Sequence, residues 1–94
     1  MNLLHTNTPP KGRFYLETED GTFAGEMTYS WAGTKKFIID HTHVEPAFGG
    51  QGLGKRMVLA AVAYARENEL KIIPLCPFAK SVFDKEAEIR DVVF

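Results

Sequence analysis

"FGGQGLGKR", residues 48–56, places Gly49, Gly50, Gly52 and Gly54 directly before a long segment without glycine. A glycine inside a regular element costs roughly 0.5–1 kcal/mol relative to alanine, because glycine loses more conformational freedom on folding. So many glycines in so short a stretch indicate one of two needs. Either the backbone adopts angles that other residues avoid, or another group lies close against it.

Length and composition exclude several classes of protein. A chain of 94 residues forms one domain, and a net charge of −1 does not provide the broad basic surface that binds nucleic acid. No apolar run approaches the ~18 residues that span a bilayer, and the first residues do not resemble a signal peptide. Cys76 is the single cysteine, so no internal disulfide can form. We therefore expect a cytoplasmic protein with a free thiol that associates with neither membranes nor nucleic acid.

The first half of the chain has the alternating pattern of β-strands. Residues 1–12 lack periodicity and contain Pro9 and Pro10, so we expect a loose N-terminal arm there. Strands are predicted over residues 13–17, 22–31 and 36–44, with a hairpin signal at Asp20-Gly21 between the first two. These three strands form an antiparallel meander.

The second half changes to helical periodicity. Apolar residues from Leu53 onward recur at spacings of three and four, which predicts an amphipathic helix of about four turns. A short apolar strand over residues 70–75 and a second helix over residues 78–86 follow. The predicted fold is mixed α/β, a three-stranded meander followed by α-β-α, in a single domain over residues 13–94.

The glycine-rich segment lies between a strand and the N-terminus of a helix, where free amides and the helix dipole favour an anion such as phosphate. The alternative is a tight turn with close packing of the helix on the sheet. A nucleoside triphosphate loop is rejected because Arg56 stands where Ser or Thr should bind magnesium. A dinucleotide fingerprint fails because Lys55 occupies its last glycine position, and the chain is too short for that fold.

A third pattern fits these residues. Val44-x-Pro46 followed by Gly50-Gln51-Gly52-Leu53-Gly54 and a helix resembles the acetyl-CoA pyrophosphate loop of the GNAT N-acetyltransferase superfamily. The strand end His41-Thr42-His43-Val44 and the segment Cys76-Pro77-Phe78 are similar to the H-T-x-V and C-P-F segments of its small, single-domain members. The resemblance covers about residues 13–86.

The resemblance implies a sheet that splays between the strand before the loop and the strand after the helix, with the pantetheine arm in the gap. It implies acetyl-CoA as cofactor, no metal, and an amine acceptor that is a small molecule or a protein, in a monomer or weak homodimer. The cofactor-binding residues that it implies are Val44, Gly49, Gly50, Gly52, Leu53, Gly54 and Lys55.

His41 and Cys76 are the predicted catalytic residues. Strand alternation places His41 and His43 on the same face as Phe37 and Ile39, and Cys76 ends the strand across the splay. Cys76 also precedes a helix, whose dipole stabilises a thiolate. The thiol would accept the acetyl group with His41 favouring its ionised form, or would only line the acetyl pocket, in which case His41 or Glu45 would act on the amine directly. The alternative is that Cys76 and the histidines are structural.

Two departures from the superfamily favour a different class of function. Phe83 stands where many members carry a tyrosine that protonates the leaving thiolate. The chain also lacks the N-terminal helices that build an acceptor pocket in larger relatives. The alternative to an enzyme is therefore a non-catalytic CoA-binding or interaction module.

Overall fold

A computed structural model describes all 94 residues. Four antiparallel strands come first: β1 (Asn2–Thr8), β2 (Lys11–Glu17), β3 (Phe23–Trp31) and β4 (Lys36–Val44). Then follow α1 (Leu53–Glu67), β5 (Lys71–Pro74) and α2 (Pro77–Lys85), with short 3₁₀ helices at Pro46–Phe48 and Ala87–Val92. The sheet order is β1-β2-β3-β4-β5, and β5 pairs with β4 in parallel. The mixed α/β fold predicted from the sequence is confirmed.

The N-terminal segment differs from the prediction. Residues 2–8 are not part of a loose arm but form the edge strand β1, which pairs with β2 along its whole length. His5 anchors it to the core: its ring stacks on Phe14 at 4.0 Å between centroids, and its Nε2 lies 2.7 Å from the Tyr29 hydroxyl. Asn7 accepts a hydrogen bond from the Trp31 indole. The strand therefore depends on tertiary contacts that no local pattern encodes.

One hydrophobic core lies between the sheet and the helices. It contains 21 buried residues, none of them charged, and α1 contributes Met57, Val58, Ala61, Val62 and Ala65 from one face, as its periodicity predicts. Both helices pack on the same side of the sheet and contact each other, so the opposite face of the sheet is left without a helix. No helix combines the length and apolar character needed to cross a membrane.

A β-bulge in β4 changes which side chains face the core. Tyr29 pairs with Ile39 but Thr28 pairs with His41, so Asp40 is an extra residue in β4. Beyond it, Thr42 lies opposite the buried Met27, whereas His41 and His43 lie opposite Thr28 and Glu26 on the uncovered face. The prediction that His41 and His43 share a face with Phe37 and Ile39 is therefore wrong, because the bulge interrupts the alternation.

Candidate functional site

The glycine-rich segment curls between β4 and α1. The 3₁₀ turn at Pro46–Phe48 leads into Gly49, and Gly50 and Gly52 then adopt left-handed backbone angles, with φ of 78° and 72°. Gly52 is also the N-cap residue of α1. Left-handed angles cost a residue with a side chain roughly 1–2 kcal/mol, so these two positions need glycine for their conformation.

This conformation leaves a run of free amides. None of the backbone N–H groups of residues 50–55 donates to an acceptor within the protein, and the first backbone hydrogen bond of α1 is made by Arg56 to Gly52. Unpaired amides at a helix N-terminus combine with the positive end of the helix dipole to bind anions. The segment can therefore hold a phosphate-bearing group through its backbone.

Gly54 is present for a different reason. A Cβ at this position would lie 2.6 Å from the Phe78 ring, so the missing side chain allows α1 and α2 to approach each other. The two needs that the sequence left open, special backbone angles and close approach, both occur within the same segment.

A groove of about 510 Å³ runs from this segment along the helices. Its walls are the core-facing residues at the end of β4, the glycine-rich segment with the start of α1, and one face of α2. All seven residues predicted to bind the cofactor line it: Val44, Gly49, Gly50, Gly52, Leu53, Gly54 and Lys55. Their contact with a cofactor stays a prediction.

The sheet splays beside the groove. β5 pairs with β4 only from Lys36 to Ile39, and the last link between the two is the Cys76 amide to the Ile39 carbonyl at 3.1 Å. Pro74, which has no N–H to donate, ends β5, and the chain then turns into α2. The second half of β4 consequently has no strand beside it on that side.

Cys76 lies at the point of the splay as the N-cap residue of α2, and 4% of it is exposed. Its Sγ is 3.4 Å from the Thr42 hydroxyl. Burial acts to raise the pKa of the thiol, but the Thr42 side chain and the nearby backbone N–H groups of Ala79, Phe78 and Thr42, which favour a thiolate, outweigh it. The pKa is therefore lower than that of an ordinary cysteine, which favours a thiolate.

The structure does not bring His41 to this thiol. Thr42 points to Cys76 and lines the groove, while His41 is exposed on the uncovered face of the sheet and is absent from the groove. The expectation that His41 stabilises a Cys76 thiolate is therefore wrong. His43 also lies on the uncovered face, with its Nε2 3.4 Å from Glu45.

Comparison with known proteins identifies the family. The sequence model of the GCN5-related N-acetyltransferases matches residues 13–92. The chain belongs to this family. A GCN5-like protein from Staphylococcus aureus is 40% identical, and the alignment covers 99% of this chain and 89% of that one with a TM-score of 0.73.

Two other relatives are more distant. Protein NATD1 from Xenopus tropicalis is 34% identical over 50 residues, which are 53% of this chain and 46% of the relative. The match thus spans less than half the length of that curated relative. A Clostridium acetobutylicum acetyltransferase solved with acetyl-CoA is 17% identical, with 81% of this chain and 56% of the other covered and a TM-score of 0.64. That likeness shows a shared fold.

Several residues of the groove escaped the sequence analysis. Phe78, Ser81, Val82 and Lys85 line it together, and their spacing of three and four residues marks one face of α2. That spacing was visible in the sequence. Thr42 was hidden because the bulge at Asp40 reverses the faces of β4. Glu86 was hidden because its partner, Lys55, is far away in the chain.

Phe83 occupies the position where many GCN5-related enzymes carry a tyrosine. It is buried in the core and does not line the groove, and its carbonyl accepts a hydrogen bond from Arg90. The hydroxyl that α2 does place along the groove belongs to Ser81, and it donates to the Phe78 carbonyl at 2.6 Å. The chain thus provides no phenol at this point to protonate a leaving thiolate.

Proposed function

We propose that this GCN5-related protein binds acetyl-CoA in the groove and transfers its acetyl group to an amine. The observation that carries the proposal is the run of free amides at residues 50–55. A diphosphate is doubly suited to them, because it accepts several hydrogen bonds and its charge interacts favourably with the N-terminus of α1. Membership of the family and the acetyl-CoA bound to the Clostridium acetobutylicum structure support the same ligand.

The splay suits the rest of the cofactor. A pantetheine arm has amide groups that can pair with a strand, and β4 beyond Ile39 offers a backbone edge without a neighbouring strand. Val44 and Thr42 line this part of the groove. An arm that starts at the glycine-rich segment and follows β4 would bring the thioester toward Thr42 and Cys76.

Cys76 is the proposed site of a covalent step. Its thiolate would attack the thioester carbonyl, so that a new carbon–sulfur bond forms and the CoA thiolate leaves with the electron pair of the broken bond. The amine would then attack the acetyl-cysteine, lose its proton and release the Cys76 thiolate. The Thr42 hydroxyl and the amides of Ala79 and Phe78 support this role because they stabilise the ionised sulfur.

The proposed base for the amine lies on the other side of the sheet. His41 directly follows the bulge at the open end of the splay, and its ring is exposed on the uncovered face. An acceptor that approaches from this face would meet His41, or the neighbouring His43–Glu45 pair, before it reached the thioester. This face has no helix over it, so it is open to a small amine or to an amine on a protein.

Acetyl-CoA binding is tested by substitution within the glycine-rich segment. Gly52→Val forces a β-branched residue into a left-handed conformation and disturbs the amides around it, so we expect calorimetry to detect at least a tenfold loss of affinity. Gly49→Ala is the matched control, because Gly49 has an ordinary φ of −65° and space for a methyl group. Unchanged affinity in a folded Gly52→Val protein would contradict the proposal.

A second experiment with acetyl-CoA distinguishes an enzyme from a non-catalytic binding module. After incubation with acetyl-CoA, mass spectrometry should detect an added acetyl group on wild-type protein and none on Cys76→Ser. Addition of an amine should then remove the acetyl group and yield an N-acetylated product. Binding without either product would instead support the non-catalytic CoA-binding module.

A further inference from the structure

Lys55 and Glu86 form an ion pair across one end of the groove. Lys55 lies in the first turn of α1 and its Nζ donates to Oε1 of Glu86, the residue that follows the last turn of α2. Both side chains line the groove next to the free amides of residues 50–55. The pair therefore bridges the two helices at the place where a diphosphate is proposed to bind.

Each of these charges lies at the unfavourable end of its own helix. A cation in the first turn of α1 faces the positive end of the dipole, and a carboxylate after α2 faces the negative end. The end of α2 does not rely on Glu86 for capping, because the carbonyls of Phe83 and Asp84 already accept hydrogen bonds from Arg90. The two charges therefore stabilise each other, whereas neither interacts favourably with the dipole of its own helix.

The carboxylate makes with Lys55 the contact that a phosphate would make. Its hydrogen bond and its charge raise the pKa of the Lys55 ammonium, and the same hydrogen bond lowers the pKa of Glu86. Arg56, the next cation along α1, points elsewhere, to the Met1 carbonyl at 3.3 Å. Of the two cations in the first turn of α1, Lys55 is therefore the one that lines the groove beside the free amides, and it is already engaged by a carboxylate.

We propose that Glu86 is an intramolecular competitor of the cofactor: it holds Lys55 beside the free amides and releases it to the diphosphate of acetyl-CoA, so that Glu86 sets the affinity of the site. This inference rests on the proposed function, because it requires the diphosphate in the groove. Glu86 is a positioning residue that acts through Lys55. Its carboxylate also lowers affinity by repelling the incoming phosphates, since like charges at short range repel.

The test compares Glu86→Gln with a matched variant. Glu86→Gln removes the charge and keeps the shape, so acetyl-CoA should bind about two- to fivefold more tightly, the range expected for one solvent-exposed ion pair. Asp84→Asn changes the net charge equally on the same helix, but Asp84 lies outside the groove and pairs with Lys80, so it should leave the affinity unchanged. Calorimetry with acetyl-CoA measures both.

Two further measurements distinguish this role from a general change in the groove. Acetyl-pantetheine, which has no phosphate, should bind wild type and Glu86→Gln equally in an NMR titration. In a Lys55→Gln background, Glu86→Gln should gain less affinity than it does in the wild-type background. Equal or weaker acetyl-CoA binding by Glu86→Gln, or an equal gain with acetyl-pantetheine, would overturn the inference and leave the proposed function intact. Wild-type protein that binds no acetyl-CoA would overturn both.

Discussion

The surroundings of Cys76 lower the pKa of a buried thiol without a basic side chain beside it. Desolvation opposes the charge, but the Thr42 hydroxyl, to which the neutral thiol donates, and the N–H groups of Phe78 and Ala79 at the start of α2 favour the ionised sulfur. Main-chain donors at a helix N-terminus are fixed in place, so they stabilise a thiolate without having to reorganise. These groups, and not His41, lower the pKa of the thiol.

We predict that the pH dependence of Cys76 alkylation is governed by Thr42 and not by His41. Thr42→Val removes the hydroxyl at nearly constant size, so the apparent pKa of the thiol should rise and alkylation at pH 7 should slow several-fold. His41→Ala should leave the profile unchanged, because His41 lies on the other face of β4. Rates with iodoacetamide across a range of pH provide the measurement. A shifted profile in His41→Ala alone would restore the histidine as the partner of the thiol.

Asp40 shows why the sequence of one strand does not always predict which face of the sheet a side chain lies on. Its carboxylate accepts a hydrogen bond from the Ser30 hydroxyl at 2.6 Å, and Lys11 lies 3.9 Å away. These partners are on β3 and β2, so nothing within β4 itself indicates an extra residue. A period of two carried across the bulge assigns every later side chain to the wrong face. The error in placing His41 and Thr42 follows from this single residue.

Elements with a strong internal pattern were predictable, and those held by distant contacts were not. The predicted boundaries of β4 agree with the structure because its apolar run Phe37-Ile38-Ile39 follows the turn at Gly33, and α1 begins at Leu53 as predicted because its apolar residues recur at spacings of three and four. The edge strand β1 has two adjacent leucines, Leu3 and Leu4, followed by polar residues, so its sequence carries no such signal. The glycine-rich segment could be placed from sequence alone because strand, glycines and helix follow one another directly. Lys55 could be assigned to it, but its partner Glu86 could not.

At the level of β1, we predict that acid weakens its attachment to the sheet. Partial burial lowers the pKa of His5 below its usual 6.5. Between the folded-state pKa and 6.5, His5 binds a proton in the unfolded chain but not in the folded chain. The free energy of unfolding should therefore fall as the pH drops through 6.5 toward the folded-state pKa. Above pH 6.5 this contribution is constant. Because the ring remains partly solvated, we expect a loss below about 1 kcal/mol.

Urea unfolding from pH 7.5 to 5 measures this effect when wild type is compared with His5→Gln. Glutamine keeps a polar group near the Tyr29 hydroxyl and does not titrate, so all other groups cancel in the difference between the two proteins. The difference should be flat above pH 6.5 and should change below it. Parallel stability curves throughout would show that His5 does not control the pH dependence.

At the scale of the whole molecule, the fold is asymmetric. Both helices cover one face of the sheet and form the groove, whereas the other face presents His41, His43 and Asp40 to solvent. The splay between β4 and β5 opens a gap in the sheet between the two faces. Under the proposed function, cofactor and acceptor therefore approach from opposite sides of one sheet, and the thioester at the splay is the point that both can reach.

Ligand binding should consequently stabilise the whole domain without any metal. A ligand at 100 times its Kd adds about 2.7 kcal/mol to the free energy of unfolding, which in a domain of this size raises Tm by roughly 10 °C or more. Thermal unfolding followed by circular dichroism should show this rise with acetyl-CoA, and EDTA should not change it. Gly52→Val is the control that should lose the rise. Because the proposed site combines free amides for a diphosphate with a groove that follows β4 toward Cys76, MgATP at the same concentration should give a smaller rise. A larger rise with MgATP, or one abolished by EDTA, would indicate a nucleoside triphosphate site and overturn the acetyl-CoA proposal.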